Sequence, residues 1–227
     1  MSRDPLVLTV AHGTRRADDN RVAARVTELA GHRLGLETRC SYVELAQPLF
    51  ADVVASLDGR AGGPVVAVPL LLSTGFHVRH DLPAMIGDRA VALGQALGPD
   101  ALLAAAQVAR LVEAGAQPGQ PLVMIAAGSN DPAATADLED ASGLLVQAWS
   151  GPVRWATLTG LGERPELVVR PGDAVSPYLL APGFFADRAA GLARDAGATV
   201  VADVLGPHPD VVELVVRRAT ALLDPAA

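Results

Sequence analysis

Short continuous apolar runs alternate along this chain with stretches whose apolar residues recur at helical spacing. Leu6-Val7-Leu8-Thr9-Val10-Ala11 is the first such run, and His12-Gly13-Thr14 ends it. The pattern predicts a buried parallel strand entering a loop. A helix is predicted next, because Val22, Val26, Leu29 and Ala30 share one face and Gly31 and Gly35 mark its end. The pairing recurs with Thr38 to Glu44 before a helix from about Gln47 to Leu57. It recurs again with Val65 to Leu72 before a short helix beginning near Asp81, which reads as its cap. A fourth strand near Ala90 to Ala96 leads through Gly98-Pro99 into a helix ending at Gly115, and Gln117-Pro118-Gly119-Gln120 reads as a linker.

After the linker the plan restarts. Leu122 to Ala126 runs into Ala127-Gly128-Ser129 as Leu6 to Ala11 runs into His12-Gly13-Thr14. Three later anchors, Pro69 and Pro177, Gly75 and Gly183, Gly98 and Gly206, are each 108 residues apart, whereas Gly13 and Gly128 are 115 apart. The second copy is therefore seven residues shorter between its first and third strands. Such a repeat predicts two similar α/β domains, 1–117 and 118–227, each a mostly parallel sheet flanked by helices. The carboxyl ends of their strands are expected to face a shared cleft.

Composition refines this picture. Half of the residues are apolar but only 4% are aromatic, so Val, Leu and Ala must fill the core, as under helix-covered parallel sheets. A formal charge of −7 argues against a general nucleic-acid binder, which needs a basic face. The chain has no Lys, so its basic side chains outside His are all Arg. That usage suits bidentate carboxylate recognition, and a GC-rich genome would produce it too. One cysteine, Cys40, excludes an intramolecular disulfide or a Cys-rich metal site and fits a reducing cytoplasm. No apolar stretch approaches the roughly 20 residues needed to cross a bilayer, so no membrane association is expected.

In an open parallel sheet, ligands collect outside the carboxyl ends of the strands. His12 lies at the end of the first predicted strand, Glu44 at the end of the second, and His77 in the loop after the third. Neutral imidazole suits Fe, Co, Ni and Zn, and a carboxylate can complete an open shell or act as a base. Each residue alone has an ordinary structural reading, and it is their meeting at one sheet edge that points to metal chemistry. His80 would share a face with His77 if that segment were helical, in a supporting role. His32 and His208 read as surface residues. Arg15, Arg16 and Arg79 accompany the candidate ligands and would attract a polycarboxylate, although balance against Asp18 and Asp19 explains some of them equally well. Gly13 and Thr14 before a helix start could bind phosphate, but the glycine spacing matches neither the dinucleotide fingerprint nor the P-loop.

At these residues the chain resembles the sirohydrochlorin chelatases, the class II chelatases that metallate sirohydrochlorin toward cobalamin or sirohaem. The resemblance rests on Ala11-His12-Gly13-Thr14-Arg15, on Val43-Glu44-Leu45-Ala46-Gln47-Pro48, and on Val68 through Pro83 with its Ser73-Thr74-Gly75-Phe76-His77-Val78-Arg79-His80-Asp81 centre. It implies that His12 and His77 bind the incoming Co²⁺, Fe²⁺ or Ni²⁺ and that Glu44 assists metal binding or pyrrole proton removal. Thr14, Arg15, Arg79 and His80 would then hold the tetrapyrrole, with no organic cofactor. In the second half Ala127 and Phe185 stand where the histidines would be, and no Glu is an obvious counterpart of Glu44. That half is expected to be scaffold, with one metal site per chain. The rival readings are a non-catalytic carrier of metal or tetrapyrrole, a chelatase for another tetrapyrrole, and a phosphate-ligand binder.

Overall fold

A computed structural model describes residues 4–58 and 62–224. The chain forms two compact units, one of residues 1–97 with 212–227 and one of residues 98–211. The first is built on a four-stranded parallel sheet of β1 (Leu6–Ala11), β2 (Glu37–Tyr42), β3 (Val65–Pro69) and β4 (Val91–Leu93), in the order β2-β1-β3-β4. Every residue of β1 and β3 is buried, which explains their unbroken apolar runs. Leu6, Leu8 and Val10 point to one face, where they pack with Phe50, Val53 and Val54 of α2 (Phe50–Ala55) and Leu82 and Ile86 of α3 (Leu82–Ile86). The alternate side chains face α1 (Arg21–Leu34), where buried Thr9 and Thr27 hydroxyls meet at 2.5 Å. Gly35 closes α1 in the left-handed conformation at φ 65°, as the sequence predicts; Gly31 stays inside the helix, where a Cβ would strike the Thr38 side chain.

Several predicted boundaries move. β2 ends at Tyr42 and β3 at Pro69, so Glu44 lies two residues past its strand rather than at its end. The segment after β3 turns helical at His77, not Asp81, through one π-helical turn, His77–Asp81, that runs straight into α3. His77 is thus on a helical turn and not in a loop. Asp81 does not cap α3 because its backbone is already helical and its carboxylate is bonded to His77 instead.

The second unit repeats the plan with β5 (Leu122–Ala126), β6 (Val153–Thr157), β7 (Ala174–Tyr178) and β8 (Val200–Val201) in the order β6-β5-β7-β8. One face packs on α6 (Pro165–Val168) and α7 (Phe184–Asp195), and α5 (Pro132–Ala148) completes the strand-helix alternation. The registers coincide across copies: Pro69 stands beside Val10, and Pro177 beside Ile125, in each case next to the last residue of the unit's first-appearing strand.

The last helix of each copy does not stay with its own sheet. α4 (Ala101–Glu113), which follows β4, belongs to the second unit: its buried Gln107 donates to Ser176 of β7 at 2.9 Å, and Arg110 donates to Leu205 O. α8 (Pro209–Leu223), which follows β8, lies mostly in the first unit, where Arg218 donates to Leu97 O, Arg33 pairs with Glu213 at 3.4 Å, and Leu222 packs against Gly94. The compact units therefore divide at Gly98 and Val212 rather than at 117, because an amphipathic helix joins whichever sheet face it buries.

Candidate metal centre

Three chain segments leave the carboxyl edge of the first sheet side by side, and each carries one donor. Backbone bonds fix the spacing: Val43 N–H donates to Ala11 O, Glu44 N–H to His12 O, and Leu70 N–H to Val10 O. Gly13 permits the approach of the first two segments, since at φ 93° its Cα faces the Glu44 carbonyl and a Cβ would lie 2.0 Å from that oxygen. Beyond Glu44 the chain reverses in a γ-turn, Ala46 N–H to Glu44 O at 2.8 Å, with Leu45 at its centre at φ 64°. That conformation costs a non-glycine residue about 1 kcal/mol or more.

The result brings His12, Glu44 and His77 together, with one ligand atom from each within 4.8 Å of the others. His12 Nε2 is 3.5 Å from Glu44 Oε1, and the two imidazoles meet edge to face with centroids 4.9 Å apart. Ligand atoms in a closed tetrahedral shell, at bond lengths of about 2.1 Å, sit roughly 3.4 Å from one another. This cluster is more loosely spaced, with donor atoms up to 4.8 Å apart, and its His12 and Glu44 side chains are about half exposed. His77 Nδ1 lies 2.6 Å from Asp81 Oδ2, and His12 Nδ1 lies 3.3 Å from Gly13 O.

The other sequence-predicted residues stand around this cluster. Thr14 and Arg15 line a groove of about 470 Å³ together with Arg21, Tyr42, Leu45 and Gln47. Arg79 and His80 are exposed on the π-helical turn, where the His80 ring stacks on Phe76 with centroids 4.7 Å apart and is outside the three-donor cluster. Sequence reasoning missed Asn20, whose side chain clamps the loop after His12 by accepting from Thr14 N–H at 3.0 Å and donating to Thr14 O at 2.8 Å. The Tyr42 hydroxyl supports that clamp by donating to Asn20 O at 3.0 Å. Burial, with Cys40 as the lesser cause, pushes that hydroxyl above the ordinary tyrosine range, so it stays a donor. Asp81 was missed because it reads as a cap; its only sequence signal is its place four residues after a histidine.

The second unit shows what the same plan looks like without donors. Gly128, at φ 87°, abuts Thr159 O at 2.0 Å from an added Cβ, as Gly13 abuts Glu44 O. Thr159 N–H donates to Ala127 O as Glu44 N–H donates to His12 O. Thr159 is thus the counterpart of Glu44 that the sequence alone did not reveal, and Gly160, also at φ 64°, is that of the strained Leu45.

Residues 6–114 match the CbiX family model. The chain is 28% identical over 81 residues to the sirohydrochlorin cobaltochelatase of Saccharolobus solfataricus, a match covering 36% of this chain and 62% of that protein. It is 26% identical to the sirohydrochlorin ferrochelatase of Priestia megaterium across 96% of this chain and 90% of that one. The structure of SirB from Bacillus subtilis with Fe³⁺ superposes with a TM-score of 0.84 at 23% identity, covering 98% of this chain and 97% of SirB, a likeness of fold. The doubled parallel α/β plan of this chain is the fold of SirB. The likeness to the CbiX family lies in residues 6–114, the part of the chain that carries His12, Glu44 and His77.

Proposed function

We propose that this chain inserts a divalent metal, Co²⁺ or Fe²⁺, into sirohydrochlorin. The observation that carries the reading is the convergence of His12, Glu44 and His77 from the segments that follow three successive strands of one sheet. Insertion requires the ion to shed water and two pyrrole N–H protons to leave as M²⁺ enters. Two neutral imidazoles and a carboxylate hold the ion strongly enough to orient it and weakly enough to release it, where a closed four-ligand shell would trap it. In this reading His12 and His77 are the metal ligands. Glu44, close to His12 and half exposed, is the carboxylate of that set, assisting metal binding and taking up pyrrole protons. The groove that begins at Thr14 and Arg15 supports the substrate assignment, because Arg15 and Arg21 on its wall can take a peripheral carboxylate of the macrocycle in bidentate fashion. Arg79 and His80, exposed on the turn that carries His77, supply further polar contacts.

The test is incubation of metal-free protein with sirohydrochlorin and Co²⁺, Fe²⁺ or Ni²⁺ in turn, following tetrapyrrole absorbance over the spontaneous rate. Many turnovers per chain are expected with Co²⁺ or Fe²⁺. A single equivalent bound without turnover would make the protein a carrier instead.

A further inference from the structure

We propose that Asp81 is the positioning residue for His77: its carboxylate accepts the Nδ1 proton and so presents an unprotonated Nε2 to the incoming metal. The inference rests on the metal-site reading given above and adds a residue to it. The primary observation is geometric. Asp81 Oδ2 lies 2.6 Å from His77 Nδ1, a short charge-assisted contact, and both side chains are about one-third exposed. A neutral imidazole carries one proton, so an acceptor at Nδ1 fixes that proton there and leaves the lone pair on Nε2. Ring orientation is fixed by the same bond. Metal-binding histidines are commonly held in this way by a carboxylate behind them.

The two copies within the chain supply an internal control. The offset of 108 residues that relates Pro69 to Pro177 places Phe185 opposite His77 and Ala189 opposite Asp81. The carboxylate is therefore absent from the copy that lacks the imidazole, and Ala189 is simply buried in the core of the second unit. The backbone differs at the same place. In the second unit α7 is a regular α-helix from Phe184, whereas the first unit opens into a π-helical turn closed by Leu82 N–H to His77 O. The shared fold does not require that widening, since the second copy does without it. Single π-turns inside helices recur at functional sites, and this one begins at the histidine and ends at its carboxylate.

Two readouts test the assignment. The first is the tautomer of His77, read from the ring ¹⁵N shifts of metal-free protein at a pH where the imidazole is neutral. Wild type should show the proton on Nδ1, Asp81→Ala should shift it toward Nε2, and Asp81→Asn, whose amide oxygen can still accept, should keep it on Nδ1. The second is Co²⁺ affinity by calorimetry, expected to fall about ten- to a hundredfold in Asp81→Ala and to be largely retained in Asp81→Asn. A wild-type His77 protonated on Nε2, or an Asp81→Ala protein with unchanged tautomer and Co²⁺ affinity, would overturn the proposal. Should Asp81→Ala fail to fold, the wild-type tautomer alone still decides. Neither readout uses sirohydrochlorin, so a protein that binds Co²⁺ as described but never turns over refutes the chelatase reading and leaves this one standing.

Discussion

His12 and His77 each bring a donor to the cluster from a different segment, so removing either leaves a two-donor site. His12→Ala and His77→Ala are each expected to lower the catalysed insertion rate at least about tenfold, equivalent to about 1.4 kcal/mol of transition-state stabilisation, with unchanged circular dichroism. Glu44→Gln should depress turnover more than Co²⁺ affinity if the carboxylate chiefly accepts protons; matching losses would make it a ligand. The three donors were legible in the sequence because each follows a segment that reads as a strand, a continuous apolar run before His12 and before His77 and the mixed segment Thr38 to Val43 before Glu44, and strand ends of a parallel sheet converge. Asn20, Asp81 and Thr159 were not legible. Their roles depend on which atoms the fold brings within hydrogen-bond reach, and Asn20 and Asp81 both imitate ordinary residues at helix starts.

Among the elements, the crossing of the β1 and β2 exits deserves its own test, because both units build it in the same way. Gly13→Ala and Gly128→Ala each place a Cβ 2.0 Å from a carbonyl oxygen at positive φ, and each should destabilise its unit by at least about 2 kcal/mol in urea unfolding. Their effects on metal should diverge: Gly13→Ala displaces Glu44 and is expected to weaken Co²⁺ binding, while Gly128→Ala displaces only Thr159 and should leave it intact. Equal Co²⁺ affinities in the two variants would show that the segment carrying Glu44 tolerates the shift. Element types and order were readable from periodicity alone, and boundaries less so. β2, β3 and β4 all stop sooner than their apolar residues suggest, since a strand ends where its neighbour's ladder ends, a fact that no single segment encodes.

At the scale of the whole molecule, the repeat predicts one metal and not two. The counterpart positions Ala127, Thr159 and Phe185 offer a methyl, a hydroxyl already donating to Ala127 O at 2.8 Å, and an aromatic ring. Calorimetric titration with Co²⁺ should therefore give a stoichiometry of one per chain, lost in the double variant His12→Ala, His77→Ala and retained in Phe185→Ala. A site of equal affinity surviving the double variant would assign donors to the second unit after all. The duplication was plain in the spacing of Pro, Gly and apolar anchors, but the destination of the final helix in each copy was not, because the apolar stripes of α4 and α8 say that they pack without naming a partner sheet.

That reciprocal placement of α4 and α8 means neither half of the gene encodes a finished folding unit. A polypeptide stopping at the 117–120 linker would carry every metal donor yet lack the helix that covers Leu97 O and Gly94, and α4 would be stranded without β7. Severed halves 1–117 and 118–227 should accordingly be poorly ordered when expressed singly and regain Co²⁺ binding when mixed, each donating a helix to the other. A first half that binds Co²⁺ with full affinity by itself would show that the borrowed helix is dispensable to the centre.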